Sequence, residues 1–315
     1  MRKQLFSALL IIILYSLSFA QDNAGMMAGS FERLGVSGRV KAMGDAGTAI
    51  ADGYSTAYDN PAFLPALDMK YAGITMHRLA LDRRFTHLAL VSPLKGDAGV
   101  SLSWINAGVD NIDSRDFDGN QLKSLSYYDN AFALGFAISP VPKKVSIGLN
   151  FKVFYGLFPK IKDDGSAIKG TGIGFDFGGR VVLPYDLTAG IVVKDLGGKY
   201  TWNTDGYWSE GTTKTDMFPV QTRVGLAYNK EALTATLDAE VSTGQQKLRA
   251  GSEYRIRPDE PIGFAFRVGM DGSSPTFGLG FHWPIAGQPA RLDYAYVMEA
   301  IAPNDTHVLT WSVAF

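Results

Sequence analysis

The chain has 315 residues, with 30 basic against 31 acidic side chains, four histidines and no cysteine. Near-neutral charge excludes the electrostatic footprint of a nucleic-acid binder, and the missing cysteines exclude disulfides, thiol catalysis, zinc–thiolate sites and a lipid-anchored N-terminal cysteine. With 35 glycines and 12% aromatic residues at a mean hydropathy of zero, the composition fits residue-by-residue alternation better than amphipathic helices.

Residues 1–20 read as a secretory signal. Arg2 and Lys3 precede the apolar run Leu5 to Leu14, and Ser18-Phe19-Ala20 gives a small-x-small cleavage pattern. No later segment reaches the roughly 18 uncharged apolar residues of a helical membrane span.

Residues 21–68 lack sustained alternation and carry Gly25, Gly29, Gly35, Gly38, Gly44, Gly47 and Gly53. The spacing of Met43, Ala46, Ala49 and Ile50 predicts one face of a short helix, weakened by the glycines. Asn60 precedes Pro61, which disfavours helix at Asn60 and frees its side chain to bond nearby backbone. A compact segment of this kind is expected to plug the barrel that follows.

Residues 69–315 are expected to form the barrel, and from about residue 97 onward short segments alternate with a period of two. Val145, Ile147, Leu149, Phe151, Val153 and Tyr155 share one phase, opposite Ser146, Gly148, Asn150 and Lys152. Strands are predicted near 71–80, 84–92, 97–107, 127–139, 144–156, 172–183, 186–196, 217–228, 231–241, 246–256, 261–270, 275–284, 290–298 and 306–315. Ten tilted residues cover about 24 Å, the height of the apolar band of an outer-membrane barrel. The predicted fold is all-β, a transmembrane antiparallel barrel of about fourteen strands whose lumen needs a filler.

Loop lengths sort by parity, as in bacterial barrels with both termini periplasmic. The connections Pro93 to Gly96, Pro140 to Lys143, Pro184-Tyr185, Asn229-Lys230, Arg257 to Asp259 and Ile285 to Gln288 are short. The long ones, Gly108 to Ser126, Leu157 to Thr171 and Gly197 to Asp216, all follow odd-numbered strands.

Charge on the lipid side is costly, so the ionised residues should take the lumen phase. Lys152, Asp176, Arg180, Lys194, Arg223, Asp238, Glu240, Arg249, Glu253, Arg255, Arg267, Arg291 and Asp293 do so, and Trp104, Tyr155, Tyr228, Trp283 and Tyr294 fall on the apolar phase. These lumen charges are expected to hold the plug by salt bridges, with a polar solute pathway as the alternative.

No enzyme is expected, because none of His77, His87, His282 and His307 has a nucleophile motif beside it. The acidic stretch Asp110 to Asn120 lacks EF-hand spacing and reads as a solvated loop. Gly170-x-Gly172-x-Gly174 lacks the helix and Lys of a phosphate loop. No metal or cofactor is expected.

The N-terminal segment carries Ser37-Gly38-Arg39, Met43-Gly44-Asp45-Ala46-Gly47 and Asn60-Pro61-Ala62. These resemble the Arg-x-x-x-Met-Gly and Asn-Pro-Ala hatch signature of the PorV/PorQ family of outer-membrane proteins, itself related to the FadL long-chain fatty-acid transporters. Lys41 and Phe63 depart from the family pattern. The loop containing Ile112-Asp113, Arg115-Asp116 and Asp118-Gly119-Asn120 looks like the family's first long loop. Leu309, Trp311, Val313 and Phe315 resemble the terminal signal read by the barrel-assembly machinery.

The resemblance implies a hatch built on Arg39, Met43, Gly44, Gly47, Asn60, Pro61 and Ala62 in an outer-membrane protein. It implies two functions. The favoured one is a surface component that handles secreted cargo in a type IX-like secretion pathway, with Asp113, Asp116, Asp118, Tyr200, Trp202, Tyr207 and Trp208 as outer-loop contacts. The alternative is FadL-like passive transport of small hydrophobic or amphipathic molecules. Expected partners are outer-membrane lipid, the assembly machinery and secretion components or cargo.

Overall fold

The computed structural model describes residues 28–159, 167–204, 211–243, 245–299 and 304–315. The expected signal peptide lies outside them. Sixteen strands follow in chain order: β1 Tyr71–Arg78, β2 Arg83–Leu94, β3 Ala98–Ile112, β4 Leu125–Val141, β5 Val145–Phe158, β6 Ile168–Val182, β7 Leu187–Leu196, β8 Lys199–Asn203, β9 Thr213–Met217, β10 Gln221–Lys230, β11 Leu233–Ser242, β12 Gln245–Ile256, β13 Gly263–Asp271, β14 Ser274–Ile285, β15 Gln288–Val297 and β16 Thr306–Ala314.

Fourteen of these form the wall. Each pairs antiparallel with its neighbour, β7 pairs directly with β10, and β1 meets β16 from Tyr71↔Ala314 to Arg78↔His307, which closes the ring. Closure leaves no unpaired edge. The remaining pair, β8 and β9, is a hairpin tongue within the connection from β7 to β10. It is pinned to β6 by Gly170↔Trp202 and Thr171↔Thr201. Sequence alternation did not show the tongue, because its strands are five residues each.

Alternation decides which side chain meets which solvent. In β13, Phe264, Phe266, Val268 and Met270 face outward, while Ala265, Arg267 and Asp271 are buried inside. The same outward phase carries Leu134, Ile147, Leu279, Leu309 and Trp311, so the barrel wears a continuous apolar coat. Turns at one end are tight, as at Ala286 and Gly287, whose positive φ values of 50° and 81° suit a two-residue hairpin between β14 and β15. Long connections gather at the other, the loop end.

The chain from residue 28 to 70 lies among the inward-facing side chains. Its helix covers Gly38–Ala42, with Ser37 Oγ accepting from Val40 N as the N-cap. This corrects the expected helical face of Met43, Ala46, Ala49 and Ile50. Gly44 and Asp45 take φ of 69° and 60°, which ends the helix before that face can form. A short helix at Thr56–Asp59 and a 3₁₀ turn at Pro61–Ala66 follow. The segment begins at the loop end, where Gly29 abuts Phe218. It reaches the turn end at Lys70, whose backbone pairs with Phe315.

The outer coat sets a test. Leu134, mid-strand and 58% exposed, replaced by Arg should cost about 2–4 kcal/mol in reversible unfolding in lipid. The inward neighbour Ala133→Ser should cost much less.

Candidate functional site

The lumen is a site built by charge pairing between the segment and the wall. Three buried networks join them. In the first, Arg39 grips Glu253 with both Nε and Nη2 at 2.9 Å and reaches Asp52 at 3.2 Å. Arg267 reaches the same Glu253 at 2.6 Å and Asp293 at 2.8 Å. Arg291 spans Asp52 at 2.7 Å and Asp293 at 2.5 Å. Each carboxylate thus faces at least two guanidiniums, and Arg39 with Glu253 adopts the bidentate geometry in which such pairs are strongest.

In the second network, Lys152 on β5 meets Glu32 at 2.9 Å, Asp176 at 2.8 Å and Asp195 at 2.5 Å. In the third, Glu240 accepts from Arg223 at 2.5 Å and Arg249 at 2.7 Å, and Asp271 from Arg249 at 2.8 Å and Lys41 at 3.3 Å. Asp45 stands 3.7 Å from both arginines. Lys41, the departure from the family pattern, is therefore an ion-pair partner of the wall.

The remaining expected lumen residues also turn inward. Lys194 sits 3.5 Å above the Tyr58 ring, Arg180 5.2 Å from the Phe63 ring, and Asp238 accepts from Thr48 N at 2.9 Å. Arg255 is the outlier. It is 40% exposed at the turn-end mouth, bonded to the Glu231 carbonyl. There a cavity of about 660 Å³ opens between Arg39, Asp52, Arg255, Arg267 and Arg291.

Backbone contact between segment and wall is made possible by inward-facing glycines. A Cβ on Gly99 would lie 2.8 Å from Leu64, on Gly148 2.5 Å from Pro61, on Gly190 2.1 Å from the Thr48 carbonyl and on Gly251 2.2 Å from the Met43 carbonyl. Strands β3, β5, β7 and β12 thus carry a belt of missing side chains that the segment fills. The belt gives Met43 and Gly44 their place: a Cβ on Gly44 would meet the carbonyls of Met270 and Ala250, and Gly44 N donates to Thr276 Oγ1 at 3.0 Å. Gly47 packs beside Val40 and Asp59.

Asn60 ties the motif to the wall. Its Nδ2 donates to the carbonyls of Thr48, Gly179 and Ile191 at 3.0, 3.1 and 3.3 Å, while its Oδ1 accepts from Ala62 N at 3.0 Å. The amide caps the turn begun by Pro61 and docks that turn between β6 and β7.

Above the charged zone, at the loop end, the interior turns apolar. Phe31, Phe85, Phe154, Tyr200 and Phe218 form one buried cluster, with Trp202 packed against it. Tyr200 and Phe218 rings lie 5.1 Å apart, edge to face. The expected outer aromatic surface is corrected here. Tyr200 is 3% exposed, and Trp202 covers Gly156 and Gly170 and packs at a tilt against Tyr200, ring centroids 5.2 Å apart. Tyr207 and Trp208 lie outside the described residues.

The acidic loop is open but self-satisfied. Asp116 Oδ1 accepts from Asp118 N and Asn120 N, its Oδ2 accepts from Asn120 Nδ2, and Asp113 pairs with Arg115 at 2.7 Å. The Asn120 side chain holds the Asp116 carboxyl below the usual carboxylate range. Among the described residues no group of His, Asp and Glu has metal-ligand geometry.

Sequence alternation missed Glu32, Asp45, Asp52, Asp195 and Asp271. The first three lie in a non-alternating segment. Asp195 has φ of 63° at a register shift between β6 and β7, which turns both it and Lys194 inward.

No protein-family model matches the chain, and neither does any curated protein. Solved structures do. The CymD monoaromatic hydrocarbon channel aligns with a TM-score of 0.62 at 13% identity, covering 89% of this chain and 97% of that one. The Ralstonia pickettii toluene transporter TbuX aligns at 0.59 and 13%, covering 89% and 98%. A Pseudomonas aeruginosa FadL homologue aligns at 0.57 and 11%, covering 86% and 95%. At these identities the likeness is one of fold, a closed fourteen-stranded FadL-like barrel.

Removing one partner of a buried ion pair strands the other. Glu253→Ala should therefore destabilise the protein by about 3–5 kcal/mol in urea titration. Asn60→Ala, which frees wall carbonyls without stranding a charge, should cost about 1–3 kcal/mol.

Proposed function

We propose that the protein is a passive channel of the outer membrane, in which residues 28–69 act as the plug, and that it admits small hydrophobic or amphipathic molecules. The observation that carries this reading is the interior's division: a packed apolar, aromatic cluster at the loop end over a charge-locked zone at the centre. An apolar guest displaced from water gains where Phe31, Phe85, Phe154 and Phe218 now fill the space. The fold shared with channels named for toluene and monoaromatic hydrocarbons supports it.

In this reading the long loops face outward and the turn end faces the periplasm. Trp311, Val313 and Phe315, of which Trp311 and Phe315 lie exposed on the outer face, are the assembly signal. The secretion-linked reading drew on a charged lumen and on aromatic and acidic loop surface; of that surface, Tyr200 and Trp202 are packed into the aromatic cluster, while Asp113, Asp116 and Asp118 stay exposed.

The test is whole-cell uptake. Outer-membrane-bounded cells lacking an endogenous hydrocarbon channel should take up radiolabelled toluene faster when they make this protein. Phe31→Glu, which puts a charge into the aromatic cluster, should abolish the gain while leaving the barrel's heat-modifiable gel mobility intact. Equal uptake with and without the protein would overturn the proposal.

A further inference from the structure

The outer face carries a group of polar side chains for which passage through the lumen has no use. Arg78 on β1 stands opposite Arg84 on β2 on one side and opposite His307 on β16 on the other. All three point away from the lumen, because the alternating residues His77, Phe85, Thr306 and Val308 are the buried ones. Strands lie about 4.8 Å apart, so the row spans about 10 Å.

Its height on the barrel is fixed by its neighbours. One pleat toward the centre the same face presents Met76 and Leu309, 54% and 50% exposed. Aromatic rings flank the row: Arg84 lies 4.7 Å over the Tyr128 ring, and the Tyr294 hydroxyl meets His307 Nδ1 at 2.7 Å. Apolar residues below and tyrosines alongside mark the level where acyl chains give way to headgroups.

The positive charge there is incompletely matched. Arg84 pairs with Asp110 at 3.2 Å and stays half exposed. The Arg78 side chain makes no ion pair or hydrogen bond among the described residues, and its backbone is paired within the sheet. Asp305, the nearby carboxylate, accepts instead from the Tyr296 hydroxyl and from Glu299 N. A cleft of about 500 Å³ opens beside the row, bordered by Arg78, Leu79, Ala80, Tyr296, Asp305 and His307.

We propose that this row is a binding site for a phosphate-bearing lipid headgroup of the leaflet at the loop end, held by the guanidiniums of Arg78 and Arg84 with His307 at its flank. Planar guanidiniums match phosphate oxygens in pairs. A lipid is the fitting source, because its acyl chains would lie on Met76 and Leu309 directly below, a contact that free phosphate cannot make. The inference requires the wall to sit in a bilayer and does not depend on transport.

The test is native mass spectrometry of the purified barrel offered diphosphoryl lipid A or the same lipid stripped of its phosphates. Lipid A should be retained in preference. Arg78→Gln and Arg84→Gln should each lower its retention by about fivefold, while Lys214→Gln, on the exposed tongue, should leave it unchanged. Heat-modifiable mobility confirms that each variant is folded. Equal retention of the two lipids, unchanged retention in the double variant, or displacement of lipid A by inorganic phosphate would each overturn the proposal.

Discussion

Glu253 is buried on the inner wall with Arg39 and Arg267 on its two oxygens. That arrangement sets the terms for the whole interior. An ionised side chain facing a filled lumen has neither bulk water nor lipid to solvate it, so its partners must come from the protein. The wall supplies many of them, but Arg39, Lys41, Asp45, Asp52 and Glu32 come from the N-terminal segment. Wall and segment are thus two halves of one electrostatic structure. Neither half is neutralised alone.

Pairing fixes the segment's position only if its backbone can approach the wall closely, and the glycine belt allows that. Where Gly190 faces Thr48 or Gly251 faces Met43, any larger residue would hold the segment off and lengthen every ion pair beyond it. Asn60 then locks the register by bonding to carbonyls of two neighbouring strands. The β6–β7 bulge works in the same direction, since it delivers Asp195 to Lys152 from a position that regular alternation would have aimed at lipid. Above this zone the loop-end cluster is held by aromatic contacts. Apolar contacts can be exchanged for an apolar guest at far smaller cost than buried ion pairs can be broken, so under the proposed function the two zones take different roles.

Much of the wall was legible in the sequence, because a lipid-facing strand obeys a strict rule. Phe264, Phe266, Val268 and Met270 must alternate with residues that tolerate the lumen, and so the strand positions and the lumen phase of Arg267 follow from the sequence alone. The strand ends were less legible. β6 begins at Ile168, earlier than the alternation suggested, because its first residues pair with β5 from Phe158↔Ile168 on one side and with the tongue at Gly170 and Thr171 on the other. The segment was legible only as glycine-rich. No period places Asp52 beside Arg291, since that contact is set by tertiary closure across 239 positions of sequence. The aromatic loop residues misled for a related reason: Tyr200 and Trp202 look like open surface until the tongue folds back onto β6.

The central claim of the proposal is that the paired charges and the glycine belt hold the N-terminal segment in the lumen, closing it to ions while leaving the aromatic zone to an apolar guest. Single-channel recording of the purified protein in a planar bilayer addresses it most directly. The account predicts an electrically silent protein, because ions meet a lumen already filled by its own matched charges. Steady ohmic steps from the intact chain would contradict it and would mean that the segment does not close the barrel.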